Sequence, residues 1–329
     1  MIKVGIIGVG HMGEYHVNIL KYLEKLGLIK FSGIYDINHK RMNEISKKYE
    51  VNQFSSDDKL FHASDAIICA VWSTSHYDIA KKALESGVNV LIEKPFAHLY
   101  KYGCELYELS RKKNLIVQIG HVERFNGAVV ELRKKYVKDP IFIEARRYGL
   151  FSNKKKDTGV ILDLMVHDID IISNITNSNI IHFDAYASSV YTDYEDIANA
   201  IFYFDNNCIA NVISSRASYI KKRTLDIAQK TNHIFLNYDT QEIEIYRKSN
   251  TLFEVDQKEI LYYRGSFIEK ISVHVENALK DELIHFINCV EGKEKPLFSL
   301  EADLKTLEIA LLLIKKAAEK SKFKYEVDI

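Results

Sequence analysis

The stretch VGIIGVGHMGEYH, residues 4–16, most narrows what this chain can fold into. An unbroken apolar run ends in Gly8-x-Gly10-x-x-Gly13, and a helix-period segment follows at once. In that setting Gly8 permits a tight turn, Gly10 lets a pyrophosphate approach the backbone, and Gly13 lets the helix pack closely on the strand. The helix N-terminus, with His11 and Met12 in its first turn, presents backbone N–H groups to phosphate oxygens. The next apolar segment ends GIYD and places Asp36 about twenty residues further on, where a carboxylate accepts from both ribose hydroxyls. Such a carboxylate repels a 2′-phosphate, so the sequence favours NAD, with Arg41 leaving NADP as the alternative. A glycine turn that binds nothing is the competing reading. Strand, glycines and acid in the right order weigh against it.

The first 120 residues continue this alternation. Strands are expected at 3–7, 30–35, 66–71, 88–92 and 115–119, and helices at 11–27, 38–49, 75–86 and 99–112. Apolar runs such as AIICAV and NVLI suit strands buried on both faces, as a parallel sheet requires. The pattern predicts an N-terminal doubly wound parallel α/β domain over residues 1–121. From 122 to 329 the rhythm changes. A helix at 125–136 leads to the strand IFIEARRYG and a strongly apolar helix at 160–175. Short strands with hairpin-like connections follow, and helices at 276–291 and 300–320 close the chain. This second part reads as an open, largely antiparallel sheet with helices on one face, a substrate and oligomerisation domain. Its bare face suits a homodimer or homotetramer.

Lysine plus arginine equals aspartate plus glutamate, 45 each, which gives no reason to expect a nucleic-acid or membrane partner. The N-terminus lacks the pattern of a signal peptide, and no apolar stretch is long enough to span a bilayer. The four cysteines are scattered without a CxxC, which suits buried thiols in the cytoplasm rather than a metal site.

The segment VLIEKPF raises the catalytic question. If NVLI is a parallel strand, Glu93, Lys94 and Pro95 emerge at its carboxyl end, where doubly wound sheets bind ligands. There Lys94 would hydrogen-bond a substrate hydroxyl and favour the oxyanion that develops as hydride leaves. Pro95 fixes the chain direction, with a cis bond as one way of doing so. A strand-end salt bridge of Glu93 is the plainer reading. In GVILDLMVHDIDII the helix is apolar nearly all round, yet Asp163, His167 and Asp170 fall on one stripe. Burying them costs several kcal/mol unless they are paired or face a polar pocket. His167 can accept a proton near neutral pH, and Asp163 can orient the ring or hold the substrate. A satisfied buried His–Asp pair is the alternative, and a metal site is poorly supported. QIGHVERFN gathers His121, Glu123, Arg124 and Asn126 at the domain junction. Arg124 and Asn126 are candidate substrate contacts, with an interdomain ion pair as likely. Arg147, Arg146 and the run Lys154-Lys155-Lys156 suit a phosphate-bearing substrate, although a solvated lysine run is the safer reading.

These residues together give a chain that resembles the Gfo/Idh/MocA oxidoreductases over nearly its whole length. The resemblance rests on the GxGxxG with Asp36, the segment reaching His76, the EKP triplet, the DxxxHxxD helix and the closing helices. It implies a Rossmann domain, an open-sheet domain, and nicotinamide-dependent chemistry on sugar-like alcohols. Catalytic roles carry over onto Lys94, Asp163 and His167. Ser73, His76, Glu93, Lys94 and His121 join the glycines and Asp36 around the cofactor; Lys94, Arg124, Asn126, Arg147, Asp163 and His167 line the substrate. Trp72 stands in AVWSTSH where relatives usually carry proline, which weakens the assignment of Ser73. Within the family the GHVERFN and DTGVILDLMVHDIDII stretches look most like UDP-N-acetylglucosamine 3-dehydrogenases. That subgroup oxidises a sugar 3-hydroxyl to a ketone, and a partner aminotransferase then installs nitrogen. Oxidation of a free sugar, inositol or another UDP-sugar is the first alternative. A non-catalytic NAD-binding regulator is the second, against which the joint presence of lysine, aspartate and histidine argues.

Overall fold

The structure is a computed structural model that describes residues 1–152, 157–248 and 266–325. The lysine run at 154–156 lies outside the described residues. The N-terminal part alternates strand and helix. It comprises β1 Lys3–Ile7, α1 His11–Lys25, β2 Lys30–Tyr35, α2 His39–Tyr49, α3 Asp57–His62 and β3 Ala66–Cys69. It continues through α4 His76–Glu85, β4 Asn89–Glu93, α5 Tyr100–Lys113 and β5 Val117–Gly120. All strand pairs are parallel, in the order β2-β1-β3-β4-β5. Strands β1, β3 and β4 are buried on both faces, which is why their sequences read as apolar runs. The order reverses beside β1, and ligand crevices of such sheets open there, at the strands' carboxyl ends. Helix α3 escaped the sequence reading. At six residues it is too short for a periodic signal, and its marker is local: the Ser56 side chain accepts from Lys59 N–H.

The second part adds α6 Gly127–Lys135, β6 Pro140–Leu150, a π-helical turn Ile161–Met165 and α7 Val166–Thr176. Strands β7 Ile180–Ser188, β8 Ile197–Phe204, β9 Ile209–Ser218, β10 Lys222–Gln229, β11 Asn232–Asn237, β12 Glu242–Lys248 and β13 Ser266–Ile271 follow. Helices α8 Ala278–Val290 and α9 Leu300–Ala318 come last. The sheet runs β13-β12-β11-β10-β6-β9-β8-β7 and is antiparallel except for the parallel pair β6–β9. Along β8, Ala198, Ala200, Phe202 and Phe204 are buried while Ile201 and Tyr203 are exposed, so one face is covered and the other open.

The closing helices tie the two parts together. Leu283, Phe286 and Ile287 of α8 share a core with Ile6 and Leu20 of β1 and α1. Helix α9 packs against both α5 and β7. The sheet domain therefore sends a helix back under the parallel sheet. Among the described residues no helix is long and apolar enough to cross a membrane, and all four cysteines are free thiols.

Candidate active site

The three N-terminal glycines differ in what surrounds them. Gly8 has φ +90°, and a Cβ there would lie 2.5 Å from the Ala70 carbonyl oxygen. A Cβ on Gly13 would lie 2.0 Å from the Gly8 carbonyl oxygen, while one on Gly10 would meet nothing within 4 Å. Gly10 is also the N-cap of α1 and brings no side-chain cap, so the first backbone N–H groups of that helix remain available. Turn, open approach and close packing are thus separate jobs in one motif, and a dinucleotide pyrophosphate fits the open position. Asp36 is held at the end of β2 by N–H donation from Val9 (2.7 Å) and Asn38 (2.7 Å). Arg41 lies close by. Its Nε donates to the Val9 carbonyl (3.1 Å), and its guanidinium pairs with Glu14. The Lys48 and Arg41 contacts hold the Glu14 carboxyl down at about 2, against the cost of burial.

A paired substitution separates these jobs. Gly10→Ala is expected to leave the melting temperature unchanged and weaken dinucleotide binding at least tenfold. Gly13→Ala must displace backbone and should lower both, as calorimetry and cofactor titration would read.

At the far end of β4 the triplet splits. Glu93 turns back into the parallel-sheet domain, where Oε1 meets His16 Nε2 of α1 at 2.6 Å. Burial opposes its charge, yet the His16 hydrogen bond and charge, with Lys94, hold it below the usual carboxylate range. Lys94 points the other way. Its Nζ donates to the Asp163 carboxylate (2.7 Å) and to the Asp163 carbonyl (2.6 Å). The Lys94–Pro95 bond is cis.

The stripe expected on the DxxxHxxD helix faces this junction, although its first residue sits on a π turn rather than on regular α-helix. Asp163 meets Lys94 after β4; the His167 ring lies edge-on to His121 after β5, with centroids 6.1 Å apart. Asp170 takes the Arg124 guanidinium, from Nε at 2.8 Å and Nη2 at 2.5 Å. One helical line therefore docks on three residues that follow the carboxyl ends of β4 and β5. His167 is 8% exposed and its Nδ1 is enclosed without a hydrogen-bond partner, which leaves Nε2 as the nitrogen open to the junction. Burial, reinforced by the charges of Lys94, Arg147 and nearby groups, puts its pKa well below the usual imidazole value. Burial likewise lowers His121 to about 4. Both rings are neutral at physiological pH.

Three of the candidate substrate contacts are engaged by partners inside the protein. Arg124 is buried on Asp170 and Asp303, with its guanidinium 4.3 Å from the Phe298 ring centroid. Arg147 forms a fork on Asp168 (2.8 and 2.8 Å) and a third bond to Glu123 (2.7 Å). Asn126 caps α6 through Ala128 N–H and donates to the Tyr238 carbonyl. Buried charges demand such partners. His121, Asp170 and Asp303 could together offer three metal ligands. The Arg124 guanidinium, bonded to both carboxylates, supplies the positive charge there instead. His76 directs both ring nitrogens at backbone, to the Pro95 (2.7 Å) and Val71 (3.3 Å) carbonyls, and so braces the lysine turn. Trp72 is half exposed, and the neighbouring Ser73 donates from N and Oγ to Asp157 (2.8 and 2.8 Å). His11 and Met12 lie exposed in the first turn of α1.

Sequence reasoning also missed Glu195, His16, Asp157 and Asp303. Only proximity in space reveals them, because each partner lies far along the chain. Glu195 is buried under the π turn and accepts from Ile161 N–H (3.1 Å). Burial pushes its carboxyl from 4.5 up to about 7. A folded-state pKa above the unfolded one means stability is lost as pH rises through that window. Glu195→Gln is therefore expected to be about 3 kcal/mol more stable than the parent near pH 8, with little difference near pH 4, in urea unfolding.

Comparison with known proteins supplies the family. The description "Oxidoreductase family, NAD-binding Rossmann fold" of GFO_IDH_MocA matches residues 2–121, and "GFO/IDH/MocA C-terminal domain" matches residues 118–246. The chain belongs to the Gfo/Idh/MocA oxidoreductases. It is 28% identical over 298 residues to a UDP-N-acetylglucosamine 3-dehydrogenase of Acidithiobacillus ferrooxidans, covering 90% of this chain and 91% of that protein. It is 21% identical over 315 residues to a scyllo-inositol 2-dehydrogenase (NAD(+)) of Bacillus subtilis, covering 90% and 88%. A solved structure of the Acidithiobacillus UDP-N-acetylglucosamine 3-dehydrogenase superposes with a TM-score of 0.86 at 25% identity, covering 97% and 98%. The Gfo/Idh/MocA chain described here is accordingly a dehydrogenase acting on CH–OH groups, with a nicotinamide-dinucleotide fold in its first domain.

Proposed function

We propose that this protein oxidises the 3-hydroxyl of UDP-N-acetylglucosamine to a ketone, with NAD as hydride acceptor. The observation that carries the chemistry is the meeting of Lys94 with Asp163 beside His167 at the domain junction. The similarity to the Acidithiobacillus enzyme, near full length in both chains, supports the substrate.

Gly8, Gly10 and Gly13 with the α1 N-terminus hold the pyrophosphate, His11 and Met12 flank it, and Asp36 takes the ribose hydroxyls. NAD is preferred because Asp36 is fixed as an acceptor while Arg41, close by, is neutralised by Glu14. Nicotinamide, when bound, accepts the hydride from the carbinol carbon. Ser73, Glu93 and His121 shape the wall on that side, and His76 positions the lysine turn. His167, neutral and open at Nε2, takes the hydroxyl proton. Lys94 donates to the same oxygen as it gains negative charge. Asp163 keeps the ammonium aimed until substrate arrives. The ketone product has the chemistry an aminotransferase needs for installing nitrogen.

The protein also assembles as a homo-oligomer through the open face of the sheet, in this proposal. Phe142, Ile201, Tyr203 and Ile209 are exposed there on adjacent strands.

The test is nicotinamide absorbance with a panel of UDP-sugars, free sugars and inositols. Turnover with UDP-N-acetylglucosamine well above the others is expected. Turnover confined to free sugars or inositols would transfer the same chemistry to another substrate and end the narrower reading.

A further inference from the structure

Arg223, near this junction, has a side chain that makes no hydrogen bond among the described residues and only two loose ion pairs. It lies on β10 directly opposite Arg147 of β6, so both side chains leave the sheet on the same face, the one covered by α7. The two arginines have different fates. Arg147 is 2% exposed and makes three hydrogen bonds to carboxylates. The Arg223 side chain is 37% exposed, and its nearest carboxylate oxygens, on Glu123 and Asp239, lie 3.9 and 4.0 Å away. Both distances exceed hydrogen-bond length, so among the described residues its five N–H donors have no acceptor.

Topology puts this side chain at the rim of the site. Strand β6 lies between β9 and β10, so residues 219–221 cross over the carboxyl end of β6. Lys221 sits on that crossover, its ammonium 2.7 Å from Asp239. The Arg223 charge also reaches His167 and helps keep that ring neutral.

We propose that Arg223 is the specificity residue that receives the diphosphate of the substrate, with Lys221 beside it on the same rim. A guanidinium with an unengaged planar fork matches phosphate oxygens two at a time. Its place opposite Arg147, on the sheet face that α7 covers, allows a phosphate to be held at the strand end while the sugar lies at the Lys94–Asp163–His167 junction. The assignment rests on the sugar-nucleotide reading given above. It adds that the enzyme tells a nucleotide sugar from a free sugar through this one side chain. Asp239 is the counter-ion that the phosphates displace.

The test compares the parent enzyme with Arg223→Gln and Arg223→Lys, using UDP-N-acetylglucosamine as substrate and inorganic pyrophosphate as competitive inhibitor. Arg223→Gln is expected to raise KM about 30-fold, to leave kcat within about twofold, and to weaken pyrophosphate inhibition in parallel. Arg223→Lys keeps the charge without the fork and should raise KM by about fivefold, which gives the answer even if the glutamine variant is unstable. Unchanged KM and unchanged pyrophosphate inhibition in both variants would overturn the assignment. If the parent oxidises only free sugars yet pyrophosphate inhibits it in an Arg223-dependent way, the anion site stands and the substrate reading falls.

Discussion

Lys94→Met and His167→Asn are each expected to lower kcat by roughly 1000-fold while leaving NAD affinity within about twofold of the parent. The methionine keeps the length of the lysine side chain without its charge, so the oxyanion loses its nearest cation. It also takes the ammonium away from the Asp163 carboxylate. The asparagine keeps a polar group of similar reach but cannot take a proton. Stopped-flow absorbance and cofactor titration read the two quantities separately. The pH profile of the parent gives a third. The folded His167 pKa lies well below 6.5 because of burial and the charges of Lys94, Arg147 and Arg223. The base form is therefore already complete at pH 7. The acid limb of kcat/KM should fall clearly below pH 6.5, rather than at it. A limb at or above 6.5 would assign the proton transfer to another group.

The second large effect is on folding. Arg124 is buried, holds Asp170 and Asp303 together, and joins the turn after β5 to both α7 and α9. Replacing it with methionine leaves two buried carboxylates facing each other near His121, at an expected cost of about 3–5 kcal/mol in urea unfolding at pH 7. Burial already pushes the Asp303 carboxyl up to about 6 with the guanidinium present. Without it, both acids take protons more readily in the folded state. Unfolding then releases those protons, so the deficit of the variant should shrink as pH falls from 7 towards 5. A deficit that stays constant across that range would mean lost packing against Phe298, and not uncompensated charge, carries the effect.

What the sequence disclosed follows from the range of the interactions involved. Apolar periodicity and glycine geometry are local, so β1, β2 and the glycine turn were legible nearly to the residue. The polar stripe Asp163–His167–Asp170 was legible too, because an apolar helix with ionisable groups on one side must place them against something. Its partners were only half visible. Lys94 stood out as an ammonium at a strand end, whereas Asp303 had no local mark in an amphipathic helix. Arg124 stayed open between a substrate contact and an interdomain ion pair, and Arg147 was read only with its basic neighbours, because sequence gives charge without distance. A buried guanidinium between carboxylates and an exposed one awaiting phosphate look identical as letters. Arg223 was overlooked for the same reason. The π turn under Asp163 also had no signature; the Glu195 carboxylate that accepts from its Ile161 N–H lies about thirty residues downstream.

The most direct test uses UDP-N-acetylglucosamine carrying deuterium at C3 of the sugar, incubated with the purified protein and NAD. Deuterium is expected to move to the nicotinamide and to slow the transfer relative to unlabelled sugar. Sugar labelled at C4 should do neither. Nicotinamide reduction that leaves the C3 label on the sugar would contradict hydride transfer from C3.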